Sequence, residues 1–460
     1  MSDSVSPRPG IYIILVTTIA SFMTAFMGSA INVALPIIGK EFKADAILLS
    51  WLSTSYLVTT AVLLIPVGKL SDIYGRAKFF KLGVIIFAVF SLLCGFSVSA
   101  LMLLILRALQ GIGASMLFST STAILVSAFD AKDRGKVIGI NIASVYTGLS
   151  SGPFLGGLIT HYLNWRCIFF ITFFIGIISL LTMMIKIKTE WREEIKEQFD
   201  TAGSIIFILT LTILMIGFTF LPGIPGFIML LAGTTGLFIF LKLEDKRPYP
   251  MLNIKLFSKN KTYTFSNFAA LINYSATSAL TFLMSLYLQN IKMLSPQDTG
   301  IILVTQPVMM ALFSPIAGRI SDRIEPRRVA SIGMGLLMAG LFVFIFLAPS
   351  TSYTLIVANL AVLGLGFALF SSPNTNAIMS SVERKYYGIA SSTLALMRLT
   401  GQMLSMGMVI VIFSVLIGKV EITPENQNSL LQSMKIAFIL FSILSFIGIF
   451  ASLARGKIHE

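Results

Sequence analysis

The sequence predicts an all-α membrane protein, a bundle of about fourteen transmembrane helices, and three observations lead there. Charged residues make up only 12% of the chain and hydrophobic residues 56%, where a soluble domain carries about 25% charged residues. Mean hydropathy is +0.88. Apolar segments recur at intervals of roughly 30 residues, and nearly every one reaches the ~20 residues needed to cross a ~30 Å hydrocarbon core. Lipid accepts only helices or closed barrels, and segments of this length are helices.

The first segment, 11–38, is too long for a signal-peptide core and lacks a small-residue cleavage site, so it is read as a retained span. Apolar runs between charged or Pro/Gly breaks place further spans near 47–68, 79–99, 101–126, 136–160 and 167–186. Two more follow near 201–221 and 225–242, and a last set near 262–289, 298–318, 328–348, 352–380, 386–417 and 432–454. The grouping is six, two, six. It divides the chain into an N-terminal six-helix bundle (1–186), a central linker with two extra spans (187–261) and a C-terminal six-helix bundle (262–460).

Alternate loops collect the basic residues, among them Lys69, Arg76, Lys78, Lys81, Lys132, Arg134, Lys136, Arg319, Arg323, Arg327 and Arg328. With a cytoplasmic amino terminus, about 26 of the 34 basic residues fall inside. Both termini are therefore expected in the cytoplasm, on a multi-pass protein of the inner (cytoplasmic) membrane. The net charge of +14 then needs no nucleic acid to explain it. Connections such as Pro222-Gly223-Ile224-Pro225-Gly226 are tight turns. The loops from Lys186 to Asp200 and from Lys242 to Lys261 read as solvated linkage between halves that move.

Enzyme chemistry finds no support. Cys94 and Cys167 both lie in apolar segments, and His161 and His459 form no cluster, so no metal site is expected. No Gly-Lys-Ser phosphate loop is present, and no cofactor is implied.

Gly68-Lys69-Leu70-Ser71-Asp72-Ile73-Tyr74-Gly75-Arg76 after the second span is echoed by Gly318-Arg319-Ile320-Ser321-Asp322-Arg323 after the tenth, the mark of two repeated halves. The first stretch resembles the loop signature of the major facilitator superfamily, with Gly68, Leu70, Asp72, Gly75, Arg76 and Lys78 at its positions. Its glycines permit close helix approach, and Asp72 can accept charge-assisted hydrogen bonds and face a helix amino terminus. An inner gate of Gly68, Asp72, Gly75 and Arg76, echoed by Asp322 and Arg323, is expected.

Arg107-Ala108-Leu109-Gln110-Gly111-Ile112-Gly113 resembles the superfamily's helix-4 motif associated with proton coupling. An arginine inside a membrane is costly unless it faces water or a partner. Gly139, Gly148, Gly152, Pro153, Gly156 and Gly157 match the helix-5 antiporter motif of exporters; Gly148, Gly152 and Gly156 form one flat face, and Pro153 bends the span. Ile31-Asn32-Val33-Ala34-Leu35-Pro36, Asn164-Trp165-Arg166, Asp200-x-x-Gly203 and Met251-Leu252-Asn253 make the chain similar to fourteen-span drug/proton antiporters of the EmrB/QacA kind. The resemblance implies a major facilitator fold, two six-helix bundles plus two extra central helices.

One departure bears on function. That branch usually carries an aspartate in helix 1 where this chain has Met27, which cannot titrate. Every one of the twenty Asp and Glu residues falls in a loop or at a helix end, whereas Arg107 and Arg398 fall inside spans. The cavity is therefore expected to be neutral to positive and to disfavour a lipophilic cation. Coupling or substrate contact is expected from Arg107, Gln110, Asn32, Arg398 and Gln402. Asn141, Tyr146, Asn273, Tyr274, Gln306, Asn374 and Asn376 are further polar candidates. The expectation is a monomeric secondary active exporter, proton-coupled, taking an anionic or neutral amphiphile by alternating access, with membrane lipids as its surroundings. An uncoupled facilitator or lipid-handling protein of the same fold is the alternative from another class, and a conventional cationic multidrug/proton antiporter is a further one.

Overall fold

The computed structural model describes residues 9–130, 134–191, 199–247, 254–321, 323–383, 387–418, 420–423 and 426–456. Among them, fourteen helical segments are long and apolar enough to cross a membrane. The first eight are α1 (Pro9–Phe42), α2 (Ala46–Tyr74), α3 (Arg76–Gly95), α4 (Ala100–Ala128), α5 (Arg134–Tyr162), α6 (Arg166–Lys186), α7 (Thr201–Thr219) and α8 (Ile224–Lys246). A short α9 (Ile254–Lys259) precedes a broken span made of α10 (Lys261–Thr277), α11 (Leu280–Leu286) and a π-helical turn at Tyr287–Ile291. Another broken span joins α12 (Pro296–Leu303) to α13 (Thr305–Ser321). Then come α14 (Pro326–Phe344), α15 (Tyr353–Ser380), α16 (Tyr387–Leu416) and α17 (Gln427–Leu453).

Local chemistry starts these helices where expected. Asp45, Ser99, Asp200, Asn260, Ser295 and Ser352 each precede a helix and accept a hydrogen bond from a first-turn amide, which satisfies one of the orphan donors of that end. The helices run further than hydropathy suggests: α1 reaches Phe42 and α2 reaches Tyr74, beyond the sequence limits of 38 and 68. Charged residues end an apolar run without ending a helix, since the backbone keeps its hydrogen bonds into the headgroup layer.

In the first bundle α1 packs on α5, α2 and α3 on α4, and α3 on α6. In the second, α10 packs on α16 and α17, α13 on α15, and α14 on α15 and α17. The bundles meet chiefly along α2 with α16 and α5 with α12. The extra pair, α7 and α8, packs on itself and touches α2 and α16. The apolar core of α8 is only 17% buried and that of the α10–α11 span 78%, so α8 lies at the periphery and the broken span at the centre.

The end of the molecule carrying Lys69, Lys78, Arg319 and Arg323 is called the basic end below. At the opposite end the bundles are closed by hydrogen bonds to main-chain carbonyls. Gln289 Nε2 donates to the Val33 carbonyl (2.8 Å), and the Ala46 amide donates to the Val420 carbonyl (3.1 Å). Gly157 lies against Pro296, so close that a Cβ there would stand 2.4 Å from the Pro296 oxygen.

Candidate functional site

A chamber of about 150 Å³ lies between the bundles, lined from α1, α2, α4, α5, α10, α11, α13, α15 and α16. Aromatic rings from Tyr56, Phe118, Tyr274 and Phe367 form part of its wall. Asn32, Gln306 and Gln402 supply amides, and Thr24, Ser29, Ser53, Thr277, Ser278 and Thr281 supply hydroxyls. Arg398 is the only charged residue among the lining residues, and no carboxylate is there. Its guanidinium carbon sits 5.6 Å from the Phe118 ring, which reaches it from the other bundle. A wall of rings and uncharged donors and acceptors with one fixed cation suits an amphiphile whose polar end is neutral or negative.

A second cavity of about 70 Å³ continues from the chamber toward the basic end. It shares Phe118, Val145, Tyr274 and Arg398 with the chamber and adds Asn141, Tyr146, Ser371 and Asn374. Tyr146 on α5 and Ser371 on α15, which line the second cavity and not the chamber, are hydrogen-bonded through their hydroxyls, joining the first bundle to the second, and Tyr274, which borders both cavities, hydrogen-bonds with each of them.

Of the residues expected at the site, Asn32, Arg398 and Gln402 line the chamber, with Tyr274 and Gln306. Asn141, Tyr146 and Asn374 line the second cavity. Arg107 and Gln110 line neither. Arg107 is wholly buried behind Tyr56, 4.4 Å from that ring, and donates to Gln110 Oε1 (2.6 Å) and, at 3.5 Å, toward the Leu52 carbonyl. Gln110 donates in turn to Ser91 (2.6 Å). Tyr56, which does face the chamber, stands between it and Arg107. Met27 is also wholly buried in the core. One step of an α-helix turns the side chain by about 100°, so Gly28, Ser29 and Asn32 face the chamber and Met27 does not. Asn273 is buried with no partner for its amide, and Asn376 donates to Ser321.

At the basic end Asp72 pairs with Arg76 Nε at 2.6 Å, and Arg76 also donates to Ser127 on α4. The carboxylate at the α3 amino terminus is a different one. Glu190, from the segment after α6, accepts from the Ala77 amide (2.7 Å), and the Trp191 carbonyl accepts from the Arg76 amide (2.8 Å). Gly75 at the turn has φ of +120°, which favours glycine, and a Cβ there would lie 2.7 Å from the Glu190 carboxyl carbon and displace that side chain. Gly68 lies in α2 against Ser119. Arg323 is exposed just past α13, and Asp322 lies outside the described residues.

The helix-5 motif makes close contacts. Cβ atoms at Gly148, Gly152 and Gly156 would strike α1 at Phe22, Ser29 and Ala30, while Gly157 faces α12 of the other bundle. The Pro153 carbonyl closes on Gly300. A Cβ at Gly139 would meet nothing within 4 Å among the described residues, so contacts with them do not explain that glycine.

Sequence reasoning missed Gln289, Ser371 and the hydroxyls of α10 and α11. A glutamine within an apolar run is the one signal that could have marked Gln289. Small hydroxyl residues bond to their own helix too often to be distinctive.

A family model described as "Major Facilitator Superfamily" matches residues 17–244 and 267–458. "Riboflavin transporter RibZ" of Clostridioides difficile is 32% identical over 389 residues, covering 84% of this chain and 84% of that protein. "Multidrug resistance protein Stp" of Mycobacterium tuberculosis is 29% identical over 403 residues, 86% of this chain and 74% of that one. A solved bacterial homolog of the human lysosomal transporter Spinster superimposes with a TM-score of 0.70 at 14% identity, covering 98% of each chain. A helical bundle of fourteen spans, a chamber between two six-helix halves and a family match over most of the chain agree: the protein belongs to the Major Facilitator Superfamily and is a membrane transporter of small molecules, not an enzyme.

Proposed function

We propose that this transporter exports a neutral or anionic amphiphile from the cytoplasm by alternating access, with the basic end and both termini on the cytoplasmic side of the inner membrane and protons as the coupling ion. The observation that carries the reading is the chamber's charge: Arg398 and no carboxylate among the lining residues. At an effective dielectric of ~20, a cationic substrate about 5 Å from that guanidinium would be repelled by about 3 kcal/mol, and an anion attracted equally. Riboflavin, the named substrate of one relative, is an uncharged hydroxyl-bearing heteroaromatic and falls within the class; its 5′-phosphate is the anionic member. The rings would hold the apolar face, the amides the polar rim, and Arg398 the negative end. The protein works as a monomer in this reading.

A second reading, an uncoupled facilitator, draws on the same absence of a carboxylate from the chamber lining together with the burial of Met27. Energised inside-out vesicles separate the two. Addition of riboflavin or riboflavin 5′-phosphate is expected to release protons, with empty-vector vesicles silent. Transport without proton release establishes the facilitator, and release by ethidium alone overturns the charge argument.

A further inference from the structure

We propose that the second cavity is a loading site, which takes the hydroxyl-bearing end of the substrate from the basic end before the chamber does, and that the Tyr146–Ser371 hydrogen bond is the gate between the two. The proposal rests on the export of a neutral or anionic amphiphile and goes further by giving that molecule a first stop and a barrier to cross.

The second cavity is too polar to be a packing defect. Genuinely empty voids in proteins are apolar, whereas Ser21, Thr122, Asn141, Ser371, Asn374 and Ser391 line this one. Some of these groups are already satisfied: Asn141 donates to Ser21 Oγ (2.8 Å) and toward the Thr17 carbonyl (3.3 Å). Asn374 is not. It is 2% exposed, and its Oδ1 has no hydrogen-bond partner among the described residues. A buried carbonyl oxygen without a donor is destabilising, and a ligand hydroxyl or N–H relieves it. That vacancy selects a donor-bearing ligand.

The gate has a defined place. The Tyr146–Ser371 bond links α5 of the first bundle to α15 of the second. Arg398, Phe118 and Tyr274 border both cavities, so a substrate moving inward keeps the same cation and the same rings beside it. Hydrogen bonds to main-chain carbonyls shut the far end, from the Gln289 side chain to Val33 and from the Ala46 amide to Val420. Passage from the chamber to the basic end is therefore opposed by the hydroxyl cluster of Tyr146, Ser371 and Tyr274, in which Tyr146 and Ser371 make the bond from bundle to bundle, and by the rings beside it. A bond of ordinary strength changes an opening equilibrium by roughly tenfold.

The test uses the full chain carrying Cys94→Ala and Cys167→Ala, with Thr277→Cys as a chamber probe or Thr375→Cys as a loading-site probe, in inside-out vesicles treated with a membrane-impermeant maleimide. Tyr146→Phe is expected to speed labelling at position 277 by roughly tenfold and to leave position 375 unchanged; Ser371→Ala should do the same by removing the other partner. Equal labelling at 277 with and without both substitutions overturns the gate. Riboflavin is expected to protect both probes, and Asn374→Ala to abolish protection at 375 while sparing it at 277. Protection at 277 alone in the parent, or protection at 375 that survives Asn374→Ala, overturns the loading site. If riboflavin and its 5′-phosphate protect neither position, the substrate class and the loading site fall together, and the labelling ratio, which needs no ligand, still decides the gate.

Discussion

Arg398 and Arg107 have the same charge and opposite surroundings. Arg398 faces the chamber, whereas Arg107 is clasped by Gln110 behind the Tyr56 ring. Arg398→Gln is expected to lower the preference for riboflavin 5′-phosphate over riboflavin by about a hundredfold, the factor in about 3 kcal/mol. Arg107→Gln should slow both substrates alike, because it disturbs the wall and not the ligand contact. Uptake rates for the pair in each variant check this, and a selectivity change in Arg107→Gln would restore that arginine to the site. A third arginine carries a cost of its own. Arg455, just past α17, is 2% exposed, with the Phe370 ring 6.0 Å away; none of its three guanidinium nitrogens has a hydrogen-bond partner among the described residues, and burial pushes it down to about 9. The depressed value means that folding disfavours the charged form. The penalty is therefore full at every pH below about 9 and fades only as pH rises toward the ordinary guanidinium range. Arg455→Met is expected to stabilise the protein at pH 7 by about 1–4 kcal/mol, read as a rise in the thermal-unfolding midpoint; a fall would mean that the cation has a partner during folding or transport.

Among the elements, α5 carries two kinds of glycine. Gly148, Gly152 and Gly156 set its distance from α1, and Gly157 sets the distance between bundles at the end opposite the basic loops. Gly157→Val should hold that end apart, since its side chain would meet Pro296 and Gly300. The expected result is maleimide labelling of the chamber from the opposite face and loss of net export. Gly139→Ala should leave transport within about twofold of the parent, as surface substitutions usually cost no more than ~0.5 kcal/mol. A severe loss in Gly139→Ala would show that the motif serves more than the contacts at its far end. The spacing of the motif was legible in the sequence; which of its glycines touch a second helix was not, because that depends on partners from α1 and α12 more than a hundred positions away.

For the whole molecule, the number and length of spans could be read from the chain because bilayer thickness imposes them. Helix rotation could not. Met27 and Gly28 are neighbours, yet only Gly28 borders the chamber, and no periodic pattern separates them in helices that are apolar all round. Glu190 was equally hidden, since its place at the α3 amino terminus follows from where a connecting segment docks. The extra pair α7–α8 adds a constraint on the whole assembly. Trp51 on α2 donates to Thr219 (2.9 Å), Ser414 on α16 donates to the Leu221 carbonyl (3.0 Å), and Phe218 packs on Gly407. The pair thus holds both bundles along one flank. The double variant Trp51→Phe, Ser414→Ala is expected to lose about 2 kcal/mol, one unit for each hydrogen bond, seen as a lowered unfolding midpoint; an unchanged midpoint would show that the pair is merely adjacent.

A carrier fastened along one side opens as a book does. In the proposed alternating access, the spine along α2 and α16 is expected to travel little and the fore-edge along α5 and α12 to swing through the larger arc. Cargo of unequal width therefore has a preferred way round, with its broad end toward the fore-edge. Enlarging what the protein will accept calls for changes on α5, α12 and α13, while changes of similar size along the spine should leave its tolerance untouched.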